Sequence, residues 1–347
     1  MVNTIIKEDA VNLYVNNPDI FSRMAGKTIL ITGASGFLCG YLVDALYVIN
    51  QKHLSKPIKI IAIDNYLRGL PDRFKHLSND KNIIIEKFDV IKPYKPKCDI
   101  DFIVHGASIA SPTYYRQFPI ETIDVNVVGL KNMLELAQAD CESVIFLSSS
   151  EIYGDPTPEN IPTPESYRGL VSCTGPRACY DESKRLGETM CVVYHSKRNV
   201  PVKMVRPFNV YGPMQRLDDK RIVPDLLNSV MNGQDIVLFS DGLATRSFCY
   251  ASDFIAGMLR VMLDGENGEP YNIGADEEIS IKQAAVIASK CSNPQLRIDY
   301  KTSDDKDYLA DNPQRRCPDL SKVKKIGYEP NINFSDGFQR TLTSYST

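Results

Sequence analysis

Thr28-Ile29-Leu30-Ile31-Thr32-Gly33-Ala34-Ser35-Gly36-Phe37-Leu38-Cys39-Gly40 is an apolar strand that runs into a glycine turn and then into a helix. That order makes a dinucleotide site. Gly33 permits the tight turn, and Gly36 lets a pyrophosphate approach the amides at the helix N-terminus. Ser35, Phe37 and Leu38 of the same turn join the expected cofactor-binding set. Cys39 occupies the third small position, where helix packs on strand, and Gly40 beside it is expected to relieve the crowding.

Outward from this turn, short apolar runs alternate with amphipathic ones. IKIIAID, NIIIEKFDV, DFIVHGAS and SVIFLSSSE read as strands. FLCGYLVDALYVI, ETIDVNVVGLKNMLELAQA and ACYDESKRLGETMCVVYH read as helices. Apolar strands alternating with helices predict an α/β chain with a Rossmann-type, doubly wound parallel sheet. After about residue 207 the elements shorten, with helices at PDLLNSVMNG and IKQAAVIASK, which predicts a smaller C-terminal substrate-binding lobe. The expected organisation is a helical extension over 1–26, the dinucleotide-binding domain over 27–207, and a ligand-binding lobe mainly over 208–347.

Composition removes several classes. The 347 residues are 43% hydrophobic and 24% charged, with a net charge of −3, so no basic excess points to nucleic acid or to an anionic membrane. No apolar run approaches the roughly 20 residues that span a bilayer, and the first 26 residues lack the apolar core of a secretory signal. Nine scattered cysteines without a CxxC pair fit reduced thiols in a cytoplasmic enzyme. Four scattered histidines suggest no metal site.

Two further groups carry chemistry. The second strand ends at Asp64-Asn65, 31 residues after Gly33. A carboxylate there accepts hydrogen bonds from ribose hydroxyls and repels a 2′-phosphate, which favours NAD over NADP. Asp89-Val90 after the third strand and Ala107 after the fourth complete the cofactor set. Tyr180 and Lys184 stand four residues apart and so project from one helical face. The ammonium is expected to lower the tyrosine pKa. A phenolate takes a proton from a sugar hydroxyl while hydride leaves the same carbon for NAD. Both residues count as cofactor contacts as well as catalytic ones.

TGASGFL, IDN, HGASIASP, NVVGLKNML, SSSEIYGDP, GPRACYDESKRLGETM, RPFNVYGP, TRSFCY and NPQRRCPD follow one another in this order. The series resembles the UDP-glucuronate decarboxylases, also called UDP-xylose synthases, of the extended short-chain dehydrogenase/reductase superfamily. The likeness runs over about residues 27–330. It implies bound NAD, a nucleotide-sugar substrate that is UDP-linked, and a homodimer built on paired helices. It also implies roles: Tyr180 as base and then acid, Lys184 as its support, and Ser149 on the reacting oxygen. Ser150-Glu151 matches the decarboxylases, whereas related 4,6-dehydratases carry Asp-Glu. Arg246 would meet the sugar carboxylate and diphosphate, Arg316 the diphosphate, and Asn209 the sugar–phosphate. Gly106 stands for a usual leucine, Ile109 for a usual proline, and DKRIVPDLL for GRVVSNF. A dehydratase, 4-epimerase or 4-oxidase acting on another nucleotide sugar stays open.

Overall fold

A computed structural model describes residues 1–137, 141–301 and 313–346. Seven parallel strands form the central sheet: β1 (Thr28–Thr32), β2 (Lys59–Asp64), β3 (Ile83–Lys87), β4 (Phe102–His105), β5 (Ser143–Leu147), β6 (Val202–Pro207) and β7 (Pro270–Ile273). Their spatial order is β7-β6-β5-β4-β1-β2-β3. The chain works outward from β1 to β3, then returns to the other side of β1 for β4, which is the doubly wound order. Leu30 on β1 faces Ile61 on one side and Ile103 on the other.

Helices cover both faces because successive strand side chains point to opposite sides. Ile29 and Ile31, with Ile145 and Leu147 of β5, enter one core beside Leu42 and Leu46 of the Phe37–Lys52 helix. Leu30, Val144 and Phe146 enter the other, with Leu130, Met133 and Cys191. The expected helix over 121–139 is split into Pro119–Asp124, a π turn at Val125–Gly129, and Leu130–Leu136. Its last two residues lie outside the described residues. At the π turn Asn126 is buried and donates to Ser183 Oγ at 2.9 Å, tying the segment to the Ala178–Arg198 helix.

Val223, Leu226, Phe248, Ala284 and Phe334 form a second apolar core, which gives the C-terminal lobe its own packing. A boundary at residue 207 nevertheless does not divide the molecule. The Ala251–Asp264 helix and β7 return to the first core, where Phe254, Met258 and Ile273 are fully or almost fully buried. The local pattern of 251–273 is that of any helix followed by a strand, so only its sheet partner, β6, reveals the return. No helix among the described residues is long and apolar enough to cross a membrane.

Residues 1–26 also belong to this core. They form helices Thr4–Asn16 and Pro18–Met24, and Ile6, Ile20 and Phe21 are fully buried. Asp9 accepts hydrogen bonds from Tyr41 at 2.7 Å and Tyr250 at 2.8 Å, and pairs with Arg340 at 2.6 Å. One carboxylate thereby joins the first helix to the Phe37–Lys52 helix, to the short Cys249–Tyr250 strand and to the C-terminal helix Phe334–Ser346. Burial raises its pKa, although Tyr41 and Arg340 oppose that shift. Asp9→Ala leaves two hydroxyls without their acceptor and Arg340 with Glu8, at 3.2 Å, and is expected to lower the unfolding free energy by about 3 kcal/mol. The midpoint of urea denaturation checks this; an unchanged midpoint refutes the linking role.

Candidate functional site

One cavity of about 1220 Å³ opens at the C-terminal ends of β1, β4 and β5, and the C-terminal lobe forms its far wall. It is larger than the roughly 300–1,000 Å³ of ordinary small-molecule pockets, and so has room for two sizeable ligands. Its lining includes Gly33, Gly36, Phe37, Leu38, Asp64, Asn65, Asp89, Val90 and Ala107 from the expected cofactor set. Ser149, Ser150, Glu151, Tyr180, Lys184, Asn209, Arg246 and Arg316 also line it. Ser35 is placed differently: it is buried behind the turn, and its hydroxyl has no partner among the described residues.

The glycine turn has the shape a dinucleotide needs. Gly33 has φ +66°, and a Cβ there would lie 2.6 Å from Ala107 Cα. Ala107 is held by its N–H donating to Thr32 Oγ1 at 3.1 Å. Gly36 caps the Phe37–Lys52 helix, and the amides of its first turn are available to phosphate oxygens. Asp64 accepts from Ser35 N at 3.0 Å and Tyr66 N at 2.7 Å, so it braces the turn and lines the cavity together. Asn65 donates to Asp89 Oδ2 at 3.2 Å, bringing the ends of β2 and β3 together.

The crowding at Cys39 is relieved from an unexpected quarter. A Cβ on Gly106 would collide with Cys39 Sγ, so the missing side chain at 106 makes room for the thiol. A Cβ on Gly40 would instead meet the Arg73 guanidinium. Gly40 therefore accommodates Arg73, which corrects the expectation from sequence. Burial pushes the Cys39 thiol up to about 12, so it packs as a small apolar group.

Beyond β5 the chain turns sharply. Ser149 Oγ accepts from Glu151 N at 3.1 Å and starts a short 3-10 turn over Ser150–Tyr153. Tyr180 is the third residue of the Ala178–Arg198 helix, and its phenol lies near the Ser149 hydroxyl. Lys184 lies one turn on, and its Nζ donates to Leu147 O at 2.7 Å. The helix thus brings Tyr180 and Lys184 to one wall with Ser149.

The expected effect of Lys184 on Tyr180 is absent. Burial pushes the phenol up to about 12, with the nearby Ser149 hydroxyl the largest opposing influence. Burial also pulls Lys184 down to about 7. The ammonium is engaged by a carbonyl and lies 5.7 Å from the Tyr180 ring centroid, so desolvation outweighs their attraction.

Glu151 sits among cations from both lobes. Both terminal nitrogens of Arg316 donate to its two oxygens, Nη2 at 2.7 Å. Arg177 Nη2 pairs with it from the other side. Burial alone would raise the Glu151 pKa, but Arg316 and Arg177 outweigh it and hold the carboxyl at about 2. Arg316 and Arg246 are register partners on adjacent short strands. Arg246 donates to Thr245 O at 2.7 Å, and burial with Arg316 nearby pulls it down to about 9. Asn209, at φ +41°, donates to Ser247 O at 3.2 Å and supports the strand that carries Arg246.

Two residues of this corner escaped the sequence. Arg177 lies within the quoted GPRACYDESKR stretch, but nothing local indicates that it reaches Glu151. Tyr115 stacks on Tyr180, with ring centroids 5.2 Å apart and planes 11° from parallel. Its hydroxyl is buried without a partner among the described residues. No signal in the sequence couples positions 115 and 180. Among the described residues no cluster of three or more His, Cys, Asp or Glu side chains is arranged to hold a metal ion.

A glycine-cradled turn beside a tyrosine–lysine pair and three arginines is the arrangement of a dinucleotide-dependent enzyme. The chain belongs to the NAD dependent epimerase/dehydratase family, whose model matches residues 29–274. Its cofactor is accordingly NAD. It is similar to UDP-glucuronic acid decarboxylase 5 of Arabidopsis thaliana, 36% identical over 310 residues, 89% of this chain and 86% of that one. It is also similar to UDP-glucuronic acid decarboxylase 1 of Xenopus tropicalis, 34% identical over 317 residues, 91% of this chain and 71% of that one. Among solved structures it resembles UDP-glucose 4-epimerase of Thermotoga maritima, with a TM-score of 0.78 and 21% identity over 92% of this chain and 98% of that one. It also resembles an NAD-bound dTDP-glucose 4,6-dehydratase of Streptomyces venezuelae, with a TM-score of 0.77 and 22% identity over 92% and 96% of the two chains. At such identities the solved structures show the fold.

Pairing between Cys39 and Gly106 is testable. Gly106→Ala is expected to cost about 2 kcal/mol through overpacking, and Cys39→Gly in the same chain should recover most of it. A double-mutant cycle on thermal stability reads the coupling; additive losses refute the pairing.

Proposed function

We propose that this chain removes the carboxyl group of UDP-glucuronate to give UDP-xylose through a 4-keto intermediate. The observation that carries this is the meeting of Ser149, Ser150 and Glu151 with Tyr180 and three guanidinia, in a chain similar over nearly its whole length to enzymes named for that reaction. The glycine turn, Asp64 and Ala107 would hold NAD, which when bound accepts a hydride from the sugar C4 and later returns it.

The chain's own groups then have these tasks. Tyr180 takes the proton of the C4 hydroxyl in the first half and returns it in the last, with Ser149 on the same oxygen. Phenolate formation is costly in this cavity because burial disfavours charge, and the Ser149 hydroxyl beside it offsets part of that cost. Lys184, fixed on Leu147 O, packs beneath the tyrosine and keeps a titratable cation within the site. A ketone at C4 lies β to the C5 carboxylate. When the bond to carbon dioxide breaks, its electron pair moves into the ketone, and C5 then takes up a proton from solvent in place of the lost carboxyl group.

Arg246 would orient the carboxylate and Arg316 the diphosphate, each through planar two-point hydrogen bonding. Glu151 rests ionised and engaged by Arg316 and Arg177, so it is poorly placed to take a proton from C5 as a dehydratase glutamate would. Ser150, buried beside it, cannot serve as the acid that expels a C6 hydroxyl.

We also propose that the protein works as a homodimer in the cytoplasm. All nine cysteines are free, which suits a reducing compartment. Ile120, Ile123, Leu186, Val192 and Val193 are exposed on the Pro119–Asp124 and Ala178–Arg198 helices, which suits burial against a second copy.

Purified protein given UDP-glucuronate should yield a product lighter by one carbon dioxide, read by mass spectrometry. Loss of water, or inversion at C4 without mass change, refutes the decarboxylase assignment. Tyr180→Phe should keep NAD bound and lower turnover at least about 100-fold; substantial remaining activity removes Tyr180 from its role. Leu186→Glu combined with Val193→Glu should convert a dimer to a monomer in sedimentation analysis, and a wild-type protein that sediments as a monomer rejects the dimer.

A further inference from the structure

Arg177 is the cation of the cluster that shares a rigid element with the catalytic tyrosine. It immediately precedes the Ala178–Arg198 helix and stands three residues before Tyr180. Its side chain is 12% exposed, and its Nη2 holds Glu151 Oε2. Arg316 holds the same carboxylate from a strand 165 residues further along the chain. Two guanidinia from different parts of the chain therefore grip one glutamate.

Their situations differ once a substrate enters. Arg316 and Arg246 lie on paired strands of the far wall, where an anionic sugar nucleotide would draw on their hydrogen bonds. A guanidinium that turns toward a phosphate or carboxylate gives up part of its hold on Glu151. Arg177 keeps its hold, because it is anchored at the start of the helix and backed by Asp181, 3.6 Å from its Nε. Glu151 in turn fixes the turn after β5 through its own N–H, which donates to Ser149 Oγ.

We propose that Arg177 is a positioning residue, which keeps Glu151, and through it Ser149, in place beside Tyr180 while Arg316 and Arg246 engage the substrate. The inference rests on the decarboxylase reading for its substrate but on the resting structure for its geometry. The charged and titratable groups around Glu151 are Arg316, Arg177 and Arg246, with the phenols of Tyr180 and Tyr115 alongside, Asp181 behind Arg177 and Asp155 near Arg246.

Removing Arg177 takes away one of the cations that keep Glu151 ionised. The Glu151 pKa, held at about 2, should then rise toward its ordinary value. The ionised form would then be lost over a higher pH range than in the wild type.

The test compares the NAD-loaded wild type with Arg177→Ala and Arg177→Lys. For each, kcat and KM for UDP-glucuronate are measured against pH, with NAD content and thermal midpoint alongside. The Glu151 carboxylate is titrated by infrared difference spectroscopy, with Glu151→Gln as the reference. Arg177→Ala should lower kcat about 10- to 100-fold with a much smaller change in KM. It should also raise the Glu151 titration, and Arg177→Lys should recover part of both. A kcat loss with the Glu151 titration unmoved overturns the proposal, as does full activity in Arg177→Ala. If the wild type leaves UDP-glucuronate untouched while the Glu151 titration still rises in Arg177→Ala, the positioning role stands and the substrate assignment falls.

Discussion

Parallel strands all end on the same side of a sheet, and in this chain that geometry decides where chemistry can occur. The order reverses between β1 and β4, so the connections leaving these neighbours part and open a crevice. Gly33 leaves β1, Ala107 follows β4, and Ser149 follows β5, which pairs with β4. Three loops far apart in sequence are thereby delivered to one cavity. The C-terminal lobe supplies the opposing wall, and its short paired strands carry Arg246 and Arg316 in register.

A cavity closed on two sides must manage charge with little help from water. Desolvation pulls Lys184 down and pushes Tyr180 up, which is the burial effect acting on a cation and on an acid. A lone carboxylate taken into such a place would cost several kcal/mol. Glu151 stays ionised because guanidinia from both lobes meet it. Asp181 answers Arg177, and Asp155 lies near Arg246, while Arg246 and Arg316 stand on the cavity wall, where guanidinia suit a substrate that carries a carboxylate and a diphosphate.

Packing shows compensation of the same kind. A thiol replaces a small residue in the glycine turn, and a missing side chain at 106 takes up its volume. A glycine at 40 admits a buried arginine that pairs with Asp44 at 3.5 Å. The first helix is tied to the Phe37–Lys52 helix, the Cys249–Tyr250 strand and the C-terminal helix by one carboxylate, so residues that look like an appendage help hold the two lobes together.

The strand–turn–helix start, the alternation of apolar strands with helices, and the placing of Tyr180 and Lys184 on one helical face were all legible, because each depends on residues within a turn or two of one another. Most of the expected cofactor residues do line the cavity, since they follow strand ends in the sheet, although Ser35 lies behind the wall rather than in it. The domain boundary was less so: residues 251–273 carry a local pattern that does not say which layer they join. Sequence by itself determined the fold class, the cofactor turn and the identity of the groups available for chemistry, since periodicity and short motifs are local properties. Only the tertiary structure decided that Glu151 is held between Arg177 and Arg316, that Tyr115 stacks on Tyr180, and that burial rather than Lys184 governs the phenol. Those outcomes depend on desolvation and on contacts across as many as 165 residues, and neither is written in any local pattern.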